Sequence, residues 1–175
     1  MSHHSRFLVR LRVENSTGTF AINHAEIESG YFHPSGSFDK EVQVGTINRM
    51  EFSEDRMATI CATNRTTLGF ESHYGTEGRF DIYRARKKVV HVYWKIPSAT
   101  GDNGMRDRHW STDPPTITVA TRDILPWSDF APPGEYDVEA IGLRPESFEN
   151  PDGFGTVWSS DYQGLIKITV RATSK

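Results

Sequence analysis

Two neighbouring stretches, GTEGRFDIY at residues 75–83 and VVHVYWKIP at residues 89–97, are the most informative part of the chain. The basic run RARKK at 84–88 separates them, so they predict two strands joined by a basic turn. The second strand ends in the pair Tyr93 and Trp94. Tyr and Trp side chains combine a large apolar body with one polar group, which suits a protein–water or a membrane–water boundary. The pair therefore favours surface recognition over bond-breaking chemistry.

Alternation of apolar and polar residues continues from these stretches to both ends of the chain. Phe7, Val9, Leu11 and Val13 share one face of a predicted first strand, and residues 166–170 repeat the pattern. Further strands are predicted at 20–28, 41–45, 49–52, 58–63, 79–83, 89–96, 116–121 and 135–141. Turn-forming residues separate these segments, and no long helix is indicated. Many short alternating strands predict an all-β fold, either a β-sandwich or a barrel.

Length and composition limit the class of protein. The 175 residues fit a single domain, 1–175, with a flexible N-terminus at 1–5. The formal net charge of −3 argues against nucleic-acid binding through a broadly basic surface. The single cysteine, Cys61, excludes an internal disulfide and a cysteine-rich zinc site. We expect cytoplasmic synthesis without a signal peptide and without a membrane-spanning helix.

Three segments without a strand pattern are predicted to be long loops, at 98–115, 122–134 and 143–164. Loops of this length inside a compact domain are usually functional or disordered. These segments hold several aromatic residues, Trp110 and Trp127 among them, which favours order in at least part of them.

Motifs that would indicate catalysis are absent from the sequence. We find no nucleophile elbow, phosphate-binding glycine loop, dinucleotide fingerprint or HExxH pair, so we expect neither enzymatic activity nor a cofactor. The seven histidines are scattered without a metal-ligand pair at helical spacing, so no metal site is expected. His91 fits a hydrogen-bonded sheet histidine better than a catalytic base. Cys61 fits a packed small residue better than a reactive thiol.

The basic run at 84–88 has two interpretations. It is either a solvated hairpin tip or a contact with anionic lipid headgroups, where each basic residue would contribute about 1 kcal/mol. Trp94 fits the core and a binding site equally well.

The two stretches resemble the signature of the aegerolysin family, in which a GTxGxFD run precedes an HxYWxxP strand. Residues 75–81 and 91–97 carry this signature here. Weaker resemblances lie in the first strand at 6–13, the GYFH turn at 30–33, the strand around Cys61 and the closing strand at 165–170. The resemblance covers residues 6–97 and the last ten residues of the chain.

This resemblance implies an actinoporin-like β-sandwich of mainly antiparallel strands. It implies binding to membrane lipids, namely sphingomyelin or ceramide phosphoethanolamine with or without a sterol. It also implies a partner of the membrane-attack-complex/perforin type, which would build the pore of a two-component cytolysin at the target membrane after non-classical release. The expected lipid-binding residues are Phe7, Tyr31, Phe32, Tyr74, Tyr93, Trp94 and Trp110.

The chain departs from the family pattern at several positions that bear on lipid binding. Three family tryptophans correspond to Phe7, Ser29 and Ser98, so one aromatic ring is kept and two indoles are replaced. The acidic residue that precedes the GTxG run in the family is Tyr74 here. The extra length of the chain falls within 98–163, where we expect aromatic loops to supply an altered recognition surface.

A second function is compatible with the same residues. Aromatic loops with nearby Asp and Asn side chains also suit the faces of sugars. The alternative is therefore a soluble β-sandwich that binds carbohydrate or protein and has no membrane activity.

Overall fold

Two five-stranded β-sheets pack face to face to form the body of the molecule. The computed structural model describes residues 6–16, 18–37, 40–64, 66–67, 70–71, 75–96, 115–121, 130–132, 134–143, 147–149, 156–158 and 161–171. Its elements are β1 (Arg6–Glu14), β2 (Phe20–Ser29), β3 (Tyr31–His33), α1 (Val44–Ile47), β4 (Glu51–Phe52), β5 (Ala58–Thr63), β6 (Thr66–Thr67), β7 (Phe70–Glu71), β8 (Thr76–Arg84), β9 (Lys87–Ile96), β10 (Thr116–Ala120), β11 (Tyr136–Ile141), β12 (Ser147–Glu149), β13 (Thr156–Trp158) and β14 (Asp161–Val170).

The strand order confirms the predicted all-β sandwich of mainly antiparallel strands. Sheet 1 has the order β11-β14-β1-β5-β3, and sheet 2 has the order β10-β9-β8-β2-β4. The pair β1 and β14 is parallel, whereas the other strand pairs of the two sheets are antiparallel. Two small antiparallel pairs, β6 with β7 and β12 with β13, stand outside the two main sheets. No helix in the described part of the chain is long and apolar enough to span a bilayer.

The core lies between the two sheets and follows the alternation of the sequence. Every second residue of β1, from Phe7 to Val13, is buried, and β8 and β9 supply buried partners such as Phe80, Val90 and Val92. Full burial of side chains of this size contributes about 1.5–3 kcal/mol each. The strands are therefore held in register because a shift by one residue would turn these side chains to solvent.

The sandwich has two distinct ends. The motif end is formed by the strand termini Ser29, Tyr31, Thr63, Thr76 and Ile96. The hairpin end is formed by Glu14, Phe20, Arg84 and Lys87. Gly30 connects the sheets at the motif end with φ +86°, and a side chain there would collide with the carbonyl oxygen of Thr63.

The prediction of a strand at 41–45 is wrong. Val42 forms an isolated bridge with Phe32, and α1 begins two residues later. The apolar side chains of Val44 and Ile47 are three positions apart, which places them on the same face of a helical turn. Burial of Ile47 against the core therefore favours one turn of helix over a strand.

The predicted loop at 143–164 is also corrected. It contains the antiparallel strands β12 and β13, and β14 begins within it at Asp161, before the predicted closing strand. Most of the predicted loops at 98–115 and 122–134 lies outside the described residues, as do residues 1–5. Residues 115, 130–132 and 134 of these loops are described, and Phe130 forms a bridge with Lys88 near the hairpin end.

Candidate functional site

Trp94 joins the two sheets at the motif end. Its side chain is fully buried, and its ring stacks on that of Phe7 in β1 with 4.5 Å between the ring centroids. Phe32 in β3 meets the indole edge-on at 5.9 Å, and Phe80 in β8 packs against it at 6.2 Å. Aromatic pairs of this kind contribute about 0.5–1.5 kcal/mol each beyond the area they bury. The indole of sheet 2 is therefore held by aromatic rings from both sheets.

Thr76 and Gly78 of the signature both contact the indole of Trp94. The Nε1–H of Trp94 donates a hydrogen bond to Thr76 Oγ1 over 3.1 Å inside the core. A Cβ atom at Gly78 would lie 2.5 Å from the nearest ring atom and 2.8 Å from the carbonyl oxygen of Glu26. The indole can lie across β8 only because residue 78 has no side chain. These signature residues therefore build the interior.

This packing corrects part of the predicted lipid-binding set. Phe7, Phe32 and Trp94 are each at most 1% exposed. They were predicted to contact lipid, with Trp94 fitting the core equally well, but the alternation of their strands turns each ring toward the facing sheet. All three are core residues in this structure, and they can support a binding surface without forming it.

Gly78→Ala tests the close approach of the indole to β8. The added methyl group meets ring and backbone atoms, so we expect a loss of about 1–3 kcal/mol in the free energy of unfolding. Gly45→Ala in α1 is the matched control, because no atom lies within 4 Å of its Cβ position. Urea denaturation of both variants measures the difference. Equal stability of the two variants would contradict the packing described for Trp94.

Asp81, the last residue of the GTEGRFD run, is the centre of a polar cluster on the outer face of sheet 2. Its side chain is 7% exposed, with Oδ1 2.6 Å from His91 Nδ1 and Oδ2 3.0 Å from His24 Nδ1. Lys88 Nζ lies 3.5 Å from Oδ2. Burial raises the pKa of Asp81, but the hydrogen bonds from both histidines and the Lys88 charge outweigh it and hold the pKa below its ordinary value. The cluster therefore ties β2, β8 and β9 together.

Replacement of Asp81 by Asn should destabilise the fold and reduce its dependence on pH. The variant loses charged hydrogen bonds, so we expect the free energy of unfolding near neutral pH to fall by about 1–3 kcal/mol. Because folding lowers the pKa of Asp81, its contribution is present above the unfolded pKa of about 3.9 and is lost as the pH falls through the folded value. Urea unfolding at a series of pH values from neutral to acidic measures both effects.

Asp137→Asn is the control for that experiment. Its carboxylate is exposed and pairs with Arg171 at the surface, where solvent screening leaves an ion pair little net effect on stability. An Asp81 variant with the stability and pH profile of the Asp137 variant would show that the cluster has no structural role.

Tyr93 lies on the outer face of sheet 2 near the motif end, beside two carboxylates. Burial and then the charge of Glu77, which its hydroxyl contacts, raise the pKa of Tyr93. Burial and the neighbouring Glu28 raise the pKa of Glu77, whose Oε1 lies 3.8 Å from Lys95 Nζ. A half-exposed ring beside two carboxylates has the chemistry that attracts an ammonium group.

Tyr31 lies on a different face of the sandwich. It is half-buried at the start of β3, and its ring meets that of His33 at 6.3 Å. Ser29, which stands where the family has a tryptophan, donates a hydrogen bond from its hydroxyl to the carbonyl oxygen of Gly75 over 2.9 Å. Tyr31 and Tyr93 belong to different sheets, so both lie near the motif end without sharing a pocket.

The basic run at 84–88 lies at the hairpin end. The guanidinium group of Arg84 lies over the ring of Phe20 at 5.6 Å, and the ammonium group of Lys88 lies over Phe130 at 5.1 Å. These two charges therefore take part in local packing, which favours the interpretation as a hairpin tip. The length of β8 separates this run from the motif end by about 30 Å.

Two predicted site residues, Tyr74 and Trp110, lie outside the described residues, as does Trp127. In the part of the chain that the structure describes, no group of three or more His, Cys, Asp or Glu side chains could hold a metal ion.

The comparisons with known proteins agree with this architecture. The family model of the aegerolysins matches residues 6–113, which include the whole signature and the strands that pack around Trp94. The chain therefore belongs to the aegerolysin family, and this membership supports a lipid-binding role. A comparison with curated protein sequences finds no match.

Solved structures of the same architecture are also found. IP-1A from Alcaligenes faecalis is 20% identical, with a TM-score of 0.66 over 97% of this chain and 94% of that one. The RahU protein, solved in complex with a TRIS molecule, is 18% identical, with a TM-score of 0.65 over 98% of this chain and 97% of that one. At these levels of identity the similarity shows the shared fold.

Sequence reasoning missed the cluster around Asp81. His24 reaches the carboxylate from β2, 57 positions away, and the Tyr83 hydroxyl lies 3.1 Å from the Nδ1 atom of His24. His24 has φ +55° within an irregular part of β2, a conformation that only the tertiary structure specifies. The sequence contains only a weak indication of the cluster, because Asp81 and His91 fall on the polar faces of adjacent predicted strands.

Proposed function

We propose that the chain is the membrane-lipid-binding subunit of a two-component pore-forming cytolysin. In this role it recognises a sphingolipid-type headgroup, sphingomyelin or ceramide phosphoethanolamine with or without a sterol, and recruits a perforin-like partner. The observation that carries the proposal is the aegerolysin match over residues 6–113, together with a signature that folds as a rigid sandwich end. No covalent step is required of the chain.

Tyr93 is the first candidate contact for the headgroup. Choline and ethanolamine headgroups both end in a cationic nitrogen, and a cation over an aromatic ring gains about 0.5–2 kcal/mol. Glu28 and Glu77 beside the ring add negative charge where that nitrogen would lie. Tyr31, on the other face near the same end, supplies a second ring at a membrane surface. Individually weak contacts become effective when many copies occupy one membrane.

In this proposal the motif end attaches the chain to the membrane, and the perforin-like partner supplies the pore. Action at the surface of a target membrane, after non-classical release, completes the proposal.

Vesicle co-sedimentation tests lipid recognition. We expect the chain to sediment with vesicles containing sphingomyelin or ceramide phosphoethanolamine and to remain in solution with plain phosphatidylcholine vesicles. Bound chain alone should release no trapped dye, and release should begin when a perforin-like protein from the same source is added. Equal failure to bind all these vesicles, combined with a hit on a glycan array, would favour a soluble carbohydrate-binding module instead.

A matched pair of tyrosine variants tests the proposed contact. Tyr93→Ala should weaken vesicle binding about 2-fold to 30-fold, the equivalent of one cation–π contact. Tyr83→Ala removes a ring from the same outer face closer to the hairpin end, and its binding should change little. Thermal unfolding must show that both variants are folded. Equal binding by the two variants would remove Tyr93 from the headgroup site.

A further inference from the structure

In the part of the chain that the structure describes, the two main sheets have four outer strands, and three of them are protected against pairing with another chain. β3 has three residues and β4 has two, too few to form a stable ladder. β11 has six residues but carries the charges of Asp137 and Glu139. Short length and charge are the usual ways in which proteins prevent edge-to-edge association. The fourth outer strand, β10, has neither.

β10 has the composition of an interior strand although it lies at an edge. Its sequence, TITVA, contains no charge and no proline, and four of its five residues are β-branched. On its inner side Ile117 and Val119 are partly buried against the core, and on its outer side Thr116 and Thr118 are exposed. Residues of this type favour a pleated, half-buried surface with neighbours on both sides.

The backbone of β10 is paired on one side. Its ladder runs along β9 from the pair Thr116 and Lys95 to the pair Ala120 and His91. Within the described residues, no strand or backbone hydrogen bond reaches its other side. Backbone N–H and C=O groups on that side therefore offer a template for another strand.

We propose that this edge is the contact of a homodimer, in which β10 pairs antiparallel with β10 of a second copy. A twofold axis at Thr118 places the two Thr118 residues opposite each other. Ile117 then faces Val119 of the second copy, and Thr116 faces its Ala120. The two copies of sheet 2 form one continuous ten-stranded sheet. This assembly goes beyond the proposed lipid binding, and its axis at Thr118 lies beside Tyr93 in the β9–β10 register.

The composition of β10 suits pairing with β10 of a second copy. An uncharged strand meets no like-charge repulsion when it pairs with itself, whereas β11 would oppose its own acidic residues. The pairing also covers apolar surface on Ile117 and Val119 that one copy leaves partly exposed. A twofold antiparallel pair closes on itself, so association stops at two copies. Contact areas below about 1,200 Å² give weak complexes, so the dimer should depend on concentration.

Cysteine cross-linking of the full chain tests the proposal. Thr118→Cys should form a covalent dimer under mild oxidation, because the two sulfur atoms meet at the axis. Thr19→Cys is the matched control, an exposed threonine outside β10. Cys61 is buried, and burial raises the pKa of its thiol to about 11, which keeps it out of the reaction. We expect about tenfold more dimer from Thr118→Cys than from the control, because disulfides need Cα atoms within about 7 Å.

The register has its own test. Thr116→Cys alone should not cross-link above the control, whereas a mixture of Thr116→Cys and Ala120→Cys chains should, because these positions face each other across the axis. Thr118→Lys should shift the sedimentation of concentrated protein toward the monomer, and Thr19→Lys should not. The proposal is overturned if Thr118→Cys forms no more dimer than Thr19→Cys. It is equally overturned if the wild-type chain is monomeric at high concentration, or if Thr118→Lys leaves a dimer intact.

Discussion

The buried indole of Trp94 is the contact on which the rest of the structure depends. Its N–H needs an acceptor, because an unsatisfied polar group in the core costs about 1–3 kcal/mol, and Thr76 supplies one over 3.1 Å. Its ring needs a residue without a side chain beneath it, and Gly78 fills that position. Stacking on Phe7 connects it to the facing sheet. The buried residues of the aegerolysin signature therefore serve to pack one side chain, the indole of Trp94.

The exposed half of the signature has a different use. Residues that alternate with the buried ones, Glu77 and Tyr93 among them, lie on the outer face of sheet 2 and are available to a ligand. Asp81 and His91 also face outward, but they are hydrogen-bonded to each other and stabilise the sheet. The interior thus holds a stiff support, and the proposed recognition of a headgroup falls to the side chains around the motif end.

Much of the fold could be predicted from the sequence, and much of the site could not. Period-two alternation depends on local sequence alone, so β5 was predicted with its observed bounds, Ala58–Thr63. α1 was missed because a single turn stabilised by tertiary packing has no periodicity of its own. The aromatic residues were the main difficulty: a ring's identity does not say which sheet face it occupies, so Phe7, Phe32 and Trp94 were expected to bind lipid although their rings are buried. His24 and Asp81 meet through long-range pairing that no local pattern contains.

The central claim is that Trp94 supports the lipid-binding surface without contacting lipid. The most direct test is the vesicle affinity of Trp94→Phe, measured on sphingolipid vesicles at a temperature where the variant is folded. The substitution keeps a ring in the core but removes the indole N–H. We expect the variant to have a lower free energy of unfolding and an affinity within about threefold of wild type. Unchanged stability together with lost vesicle binding would contradict the central claim.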